Sequence, residues 1–221
     1  MPTEVKICGL SEEESVDAAL EAGADLVGFV FFPASPRNIE IGRAAALARR
    51  ARGKAEIVAL TVDADDALLS GIADGLRPDL VQLHGKETPG RAAFVGALTR
   101  RPVMKVIGVA EAADLERTRE FPAAARFLLD AKPPKDATRP GGNAAAFDWR
   151  MLEGFSSPKP WLLAGGLNPA NVADALAASG TGGVDVSSGV ESAPGKKDSD
   201  LIRAFVRAVR DFDRAAERMA S

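Results

Sequence analysis

The sequence predicts an α/β fold, a single-domain (β/α)8 TIM barrel, and three observations lead to this prediction. Short apolar runs alternate with helical patterns along the chain, eight such pairs fit within 221 residues, and no linker or shift in composition divides them. We therefore expect residues 1–221 to form one domain. An open, doubly wound sheet is the alternative that the same alternation allows.

The eight predicted strands are short runs rich in Val, Ile and Leu. Such runs are typical of parallel strands that are buried on both faces. The strands are expected at residues 5–8, 26–31, 57–62, 80–83, 103–109, 126–130, 161–164 and 184–186.

The first predicted helix follows the first strand directly. Ser11 is expected to cap its first turn, with Glu14 reaching back to complete a capping box. Gly23 is expected to end the helix, because glycine readily adopts the left-handed conformation found just past helix C-termini.

Three further helices have clear signals. An apolar stripe ends before Gly53, Asn168 and Pro169 are typical of the cap and first residue of a helix, and the longest stripe covers residues 201–212. Weaker helical patterns occupy residues 65–75, 89–100, 111–120 and 147–155. The segment 132–146 is rich in Pro and Gly, and its place after the sixth strand predicts a flap over one end of the barrel.

Composition limits the possible partners. The net charge of −3 gives no overall field that would attract nucleic acid or an anionic membrane surface. One cysteine excludes an intrachain disulfide and a metal site built from several cysteines. No segment resembles a signal peptide or a membrane span. These features predict a soluble, cytoplasmic protein with no nucleic-acid or membrane partner.

Polar residues occur at the carboxyl ends of four predicted strands. Because alternate side chains of a strand point to the same face, each of these strands is expected to direct a pair of residues inward, toward the edge that carries the active site in such barrels. The inward pairs are Lys6 and Cys8, Gln82 and His84, Leu128 and Asp130, and Asp185 and Ser187.

Cys8 and Asp130 are the candidate catalytic residues. They lie on strands one and six, which are three steps apart in a ring of eight, so a thiol and a carboxyl group would face each other across the mouth. Such a pair can act as base and acid, although a free thiol with a pKa of about 8.5 would need a lower pKa. The alternatives are a core cysteine and a helix-capping aspartate. His84 could likewise be purely structural, and Arg37 a solvated loop residue.

Two glycine-containing loops are candidates for binding phosphate. Gly165 and Gly166 follow the seventh strand, and Ser187, Ser188 and Gly189 follow the eighth. The loops after these two strands commonly bind phosphate in barrels, through backbone N–H groups and a short helix. A simple tight turn is the alternative for the glycine pair.

The motifs together resemble those of the phosphoribosylanthranilate isomerase family. They cover nearly the whole chain in the family's order, and the first and last are the most specific. They are KICG at 6–9, GFVF at 28–31, SPR at 35–37, VQLHG at 81–85, LD at 129–130, FDW at 147–149, LAGGL at 163–167 and GVDVSSGVE at 183–191. One departure is Asn143-Ala144, where the family usually has Thr-Gly.

The resemblance implies a specific reaction, in which N-(5-phosphoribosyl)anthranilate becomes 1-(2-carboxyphenylamino)-1-deoxyribulose 5-phosphate by an Amadori rearrangement in tryptophan biosynthesis. It implies that Asp130 is the general acid and Cys8 the general base. Arg37 is then the expected partner of the anthranilate carboxylate, Asp185 contacts the anthranilate nitrogen or a sugar hydroxyl, and His84 lines the pocket. No metal or organic cofactor is implied.

Other functions stay open at this stage. A non-catalytic barrel that binds a phosphometabolite, another sugar-phosphate barrel enzyme and a scaffold without a ligand are the alternatives. A ribulose-phosphate 3-epimerase is disfavoured because its metal site needs more than one histidine, and His84 is the only one in the chain. The chain could be a monomer or a homodimer.

Overall fold

Eight parallel strands close into a barrel in sequence order in the computed structural model, which describes residues 2–132 and 148–220. The predicted barrel is therefore confirmed, and the open sheet is wrong, because β1 pairs with both β2 and β8. The strands are β1 Glu4–Cys8, β2 Leu26–Phe31, β3 Glu56–Thr61, β4 Leu80–Leu83, β5 Val103–Val109, β6 Arg126–Ala131, β7 Trp161–Leu163 and β8 Gly183–Val186.

Helices connect most of the strands. They are α1 Glu13–Ala22, α2 Ile41–Ala51, α3 Asp66–Gly75, α4 Pro89–Thr99, α5 Val172–Ser179 and α6 Ser199–Ala220. Two weaker helical predictions correspond to 3₁₀ helices instead, at Ala112–Glu120 and Trp149–Leu152. A third 3₁₀ helix, Ser188–Val190, precedes a small hairpin of β9 Glu191–Ala193 and β10 Lys196–Lys197. The predicted flap, apart from Lys132, lies outside the described residues.

The predicted capping box of the first helix is wrong. The N-cap residue of α1 is Glu12, and it makes no capping side-chain bond. The chain stays beside β2 after the strand, where the N–H of Leu10 donates to the carbonyl of Gly28, so the helix begins too late for Ser11 to cap it. Gly23 ends the helix in the left-handed conformation, as predicted.

The start of α5 also differs from the prediction. The helix begins at Val172 after Asn171, so Asn168 and Pro169 are not its cap and first residue. They form a turn in front of it instead. The Asn168 side chain accepts from the N–H of Ala170, and the Asn171 side chain accepts from the N–H of Asn168.

The core has two layers separated by the sheet. Apolar residues on the outer face of the strands, such as Ile7 and Phe127, pack against the helices. A separate cluster fills the barrel interior: Leu26, Val58, Leu80, Met104, Val106, Leu128, Leu162 and Ala164. Apolar side chains therefore fill the described part of the barrel interior below the carboxyl-end rim. Among the described residues, no helix is long and apolar enough to cross a membrane.

Candidate active site

The carboxyl ends of the strands bring the predicted site residues to one rim. Cys8 ends β1, Asp130 is the second-last residue of β6, and Asp185 lies in β8. His84 and Ser187 follow β4 and β8 directly. Since side chains alternate along a strand, all five share the inner face with the apolar interior cluster.

Cys8 lies in a tight pocket with apolar walls. Its side chain packs with Val30 and Leu60, and the residue is 2% exposed. Gly28 is its register partner on β2, and a Cβ atom built at Gly28 would lie 2.9 Å from Cys8 Sγ. Glycine at this position therefore leaves the space that the sulfur occupies.

We expect Gly28→Ala to displace the Cys8 sulfur and to lower kcat by about 10²-fold, because a misplacement of about 1 Å can cost that much. Steady-state kinetics on the purified variant measures this effect. Gly42→Ala is the matched control, since a Cβ atom there meets nothing within 4 Å. A Gly28→Ala enzyme with the wild-type kcat would mean that the reaction does not depend on where this sulfur lies.

Three charged groups act on the Cys8 thiol. Burial raises the pKa of Cys8, the ammonium of Lys6 opposes this shift, and the carboxylate of Asp185 adds to it. Lys197 has a smaller, lowering effect on the same pKa. The thiol is therefore protonated at neutral pH, whereas service as a base calls for a pKa below that of a free thiol. Burial in the pocket by itself shifts the pKa of the thiol upward, because desolvation penalises the thiolate.

A chain of polar side chains leads from the barrel interior to Asp130. His84 Nε2 lies 3.2 Å from Asp130 Oδ2, and His84 Nδ1 lies 3.4 Å from the amide nitrogen of Gln82. In the tautomer that carries its proton on Nε2, His84 donates toward Asp130 and can accept at Nδ1 from the Gln82 amide. Asp130 lies within β6 and is oriented by His84, so it does not cap a helix.

Asp185 is paired below the rim. Its Oδ1 accepts a 2.6 Å hydrogen bond from the ammonium of Lys6, and Lys6 is fully buried. Asp185 has a second carboxylate oxygen that is not part of this bond. The predicted contact of Asp185 with substrate therefore depends on that oxygen.

Arg37 is buried and held in a fixed orientation. Its Nε and Nη2 donate to the two oxygens of Glu191, at 2.6 and 2.8 Å, and the Lys197 ammonium donates to Glu191 at 2.8 Å. The alternative of a solvated loop arginine is therefore wrong. The third guanidinium nitrogen, Nη1, is not used in this bidentate pair.

The two glycine-containing loops lie side by side. Gly165 and Gly166 have positive φ angles of 88° and 66°, and among the described residues their backbone N–H groups have no acceptor. A Cβ atom at Gly189 would lie 1.8 Å from the carbonyl oxygen of Leu167, so only glycine allows the two loops to approach this closely. The Ser187 hydroxyl donates to the carbonyl of Cys8 at 3.1 Å, which links the second loop to β1.

Three charged residues near the site were not predicted from the sequence. The strand pattern puts Lys6 on the inner face but indicates no partner for it, Glu191 ends a motif that gives it no role, and nothing in the local sequence marks Lys197. Burial lowers the pKa of Lys197 to about 8, although Glu191 opposes the shift. In the part of the chain that the structure describes, no group of His, Cys, Asp and Glu residues could hold a metal ion.

Known proteins resemble this chain over nearly its whole length. A family model described as N-(5′-phosphoribosyl)anthranilate (PRA) isomerase matches residues 5–208. A relative of that name from Rhodopseudomonas palustris BisA53 is 55% identical, with 97% of this chain and 99% of the relative covered.

Solved structures give the same result. The phosphoribosyl anthranilate isomerase of Thermotoga maritima has a TM-score of 0.83 at 34% identity, with 95% of this chain and 99% of that chain covered. A phosphoribosyl anthranilate isomerase in complex with reduced 1-(o-carboxyphenylamino)-1-deoxyribulose 5-phosphate has a TM-score of 0.80 at 32% identity, with the same coverage. Since the family model and the relatives cover nearly the whole chain, this chain belongs to the N-(5′-phosphoribosyl)anthranilate isomerase family.

Proposed function

We propose that the barrel mouth converts N-(5′-phosphoribosyl)anthranilate to 1-(2-carboxyphenylamino)-1-deoxyribulose 5-phosphate, an Amadori rearrangement in tryptophan biosynthesis. Family membership supports this reaction, and a related structure binds a reduced form of the product. The observation that carries the proposal is the placement of an inward thiol, Cys8, and an inward carboxyl group, Asp130, on separate walls of one mouth.

The first step opens the ribose ring. Asp130, as a carboxylic acid, gives its proton to the ring oxygen while the bond between C1 and that oxygen breaks. The lone pair of the anthranilate nitrogen forms a C=N bond to C1, which leaves an iminium ion. Loss of its proton leaves Asp130 as a carboxylate, which the Nε2–H of His84 can stabilise at 3.2 Å.

The second step removes a proton from carbon. The C2–H bond is acidic because it is next to the iminium, and the thiolate of Cys8 accepts the proton. The electrons of the C2–H bond form the C1–C2 double bond, and the C=N electrons return to nitrogen. The resulting enolamine tautomerises to the ketone. Atoms and electrons balance without an external oxidant or reductant.

The remaining predicted residues bind the substrate in this proposal. Arg37 directs Nη1 at the anthranilate carboxylate, and Asp185 contacts the anthranilate nitrogen or a sugar hydroxyl. The backbone N–H groups of Gly165 and Gly166 hold the phosphate with those of Ser187, Ser188 and Gly189, as is common after strands seven and eight of such barrels.

We expect Arg37→Ala to raise KM by about tenfold to 10²-fold with a smaller change in kcat, because a charge-assisted bond to the substrate carboxylate is worth about 1.5–3 kcal/mol. Lys197 still pairs with Glu191 in this variant, so the barrel should fold. Steady-state kinetics and thermal unfolding measure the two effects. Arg50→Ala, which removes an exposed arginine paired with Asp17, is the control. An unchanged KM would exclude Arg37 from the site.

The experiment that tests the function follows substrate fluorescence. Phosphoribosylanthranilate is generated from anthranilate and phosphoribosyl pyrophosphate, and its emission is recorded with wild type and with the double variant Cys8→Ala/Asp130→Asn. We expect rapid loss of emission with wild type only. If folded wild type gives no catalysed loss, the protein is not this isomerase, and a barrel that only binds phosphometabolites becomes the better hypothesis.

The wider context of the protein follows from the same proposal. We infer that residues 1–221 act as one domain, in the cytoplasm, on a small-molecule substrate and without a nucleic-acid or membrane partner. All proposed roles are assigned within one chain, so the proposal is compatible with a monomer or a homodimer. Light scattering of the purified protein distinguishes these two states.

A further inference from the structure

A lysine is fully buried inside the barrel, directly below the rim. Lys6 is on the inner face of β1, two residues before Cys8, so the two side chains point into the same interior. Its register neighbours are Leu26 on β2 and Asp185 on β8. Lys6 therefore lies between an apolar residue of β2 and an acidic residue of β8, on the face that also carries the candidate base.

Packing does not account for this lysine. Other strands place apolar residues in the interior, such as Leu26, Val58 and Leu128. Burying an ammonium ion costs several kcal/mol, and a buried ion pair is often no more stable than apolar residues of the same volume. A barrel that needed only a filled interior would be about as stable with apolar residues in place of both Lys6 and its partner Asp185.

The partner of Lys6 fixes where its charge lies. Asp185 Oδ1 accepts from Lys6 Nζ at 2.6 Å, and both residues are buried. Burial disfavours the ammonium form, but the charges of Asp185 and Cys8 outweigh this, and the pKa of Lys6 is raised. Lys6 therefore stays protonated across the working pH range and cannot itself accept the proton of the substrate.

We propose that Lys6 is a positioning residue for the reaction, held by Asp185 on the inner face that it shares with Cys8, so that its ammonium charge stabilises the thiolate form of Cys8. This inference rests on the proposed role of Cys8 as the general base. When Cys8 accepts the proton from C2, the S–H bond forms and the thiolate charge disappears, while Lys6 keeps its proton.

The other charges that face Cys8 do not replace Lys6. Lys197 is the second cation, but its ammonium is already bound to Glu191 and to the hydroxyl and carbonyl of Ser187. Its effect on the thiol is also smaller than that of Lys6. Asp185 acts in the opposite direction, since its carboxylate disfavours the thiolate. Lys6 and Asp185 should therefore shift the titration of Cys8 with opposite signs.

The composition of the chain makes this titration easy to measure. Cys8 is the only cysteine, and the chain has no tyrosine. The ultraviolet absorbance of a thiolate therefore reports on one residue, without tyrosinate, which would otherwise appear near pH 10. The rate of alkylation by iodoacetamide as a function of pH gives a second, independent reading.

The test compares the thiol titration of four variants with that of wild type. Lys6→Met should raise the pKa of Cys8 by about one unit, so that alkylation at a fixed pH below both values slows about tenfold. Asp185→Asn should lower the pKa and speed alkylation. The double variant Lys6→Met/Asp185→Asn leaves no unpaired charge, and its pKa should still lie above that of wild type.

The matched control is Lys105→Met. Lys105 is a second buried lysine, paired with Glu87 at 2.7 Å, but it lies on the outer face of β5. We expect it to lower stability without moving the titration of Cys8. Lys105→Met shifting that titration as much as Lys6→Met would overturn the proposal. The proposal would also be overturned if Cys8 titrated as in wild type in a folded Lys6→Met variant or in the folded double variant.

Enzyme kinetics separates this proposal from the proposed function. If Cys8 is the base, the alkaline rise of kcat/KM should move with the titrated pKa in each variant of Lys6 that folds. A Cys8→Ala enzyme that remains active would overturn the role of Cys8 as base, which belongs to the proposed function. The titration of the thiol needs no substrate, so its outcome is independent of that role. If a variant shifts the titration of the Cys8 thiol but leaves the pH profile of kcat/KM unchanged, the positioning role alone is overturned.

Discussion

Cys8→Ala should lower kcat by about 10³-fold while the barrel remains folded. General bases contribute about 10²–10⁴-fold to turnover, and in this proposal no other group in the pocket accepts the C2 proton. Because burial raises the pKa of the thiol, wild-type kcat/KM should also rise with pH into the alkaline range, and this rise should be absent in the variant. Steady-state fluorescence kinetics over a series of pH values measures both effects.

Val30→Ala is the control for this prediction. Val30 packs in the same small cluster as Cys8, so its truncation makes a similar cavity without removing the thiol. We expect each variant to lose about 1–2 kcal/mol of unfolding free energy, measured by urea denaturation, whereas only Cys8→Ala loses most of its activity. If Cys8→Ala kept kcat within threefold of wild type, Cys8 would not be the base.

Asp130→Asn should produce a loss of similar size, for a different reason. The amide occupies the space of the carboxyl group, and its oxygen can still accept from the Nε2–H of His84. It cannot give a proton to the ring oxygen, so the C1–O bond must break without acid catalysis. We expect kcat to fall by about 10²–10⁴-fold with a smaller change in KM, measured in the same fluorescence assay.

Asp213→Asn is the matched control at the opposite end of the barrel. The Asp213 side chain is 13% exposed, close to the 11% of Asp130, and its carboxylate accepts from the backbone N–H and hydroxyl of Thr3. This variant should lose stability and keep its kcat. If the Asp130→Asn enzyme were as active as the Asp213→Asn enzyme, a group other than Asp130 would be the general acid.

The strands were predictable because parallel strands buried on both faces leave a strong local pattern. Each predicted strand overlaps an observed one, and no strand end differs from its prediction by more than one residue. Helix starts were less predictable, because they depend on where the preceding chain leaves the sheet. The hydrogen bond from the N–H of Leu10 to the carbonyl of Gly28 moves the start of α1 past Ser11. Local capping rules do not include a contact of this kind with another strand.

The site was predictable as a set of inward groups, since strand alternation together with barrel closure brings strand ends to one rim. The pairing within that set was not predictable. Arg37 and Glu191 are 154 residues apart, and Lys6 and Asp185 are 179 apart. Contacts over such separations leave no periodicity in the chain.

The sequence by itself determined the barrel, the motifs that mark the family and the candidate acid and base, because these depend on local apolar patterning and on residue identity. The tertiary structure alone decided the electrostatics. Burial raises the pKa of Cys8, and only the closed ring pairs the Lys6 ammonium with the Asp185 carboxylate, so that both charges act on that thiol. Desolvation and charge–charge interaction depend on distances through space, so they could be assigned only from a structure in which β1 pairs with β8.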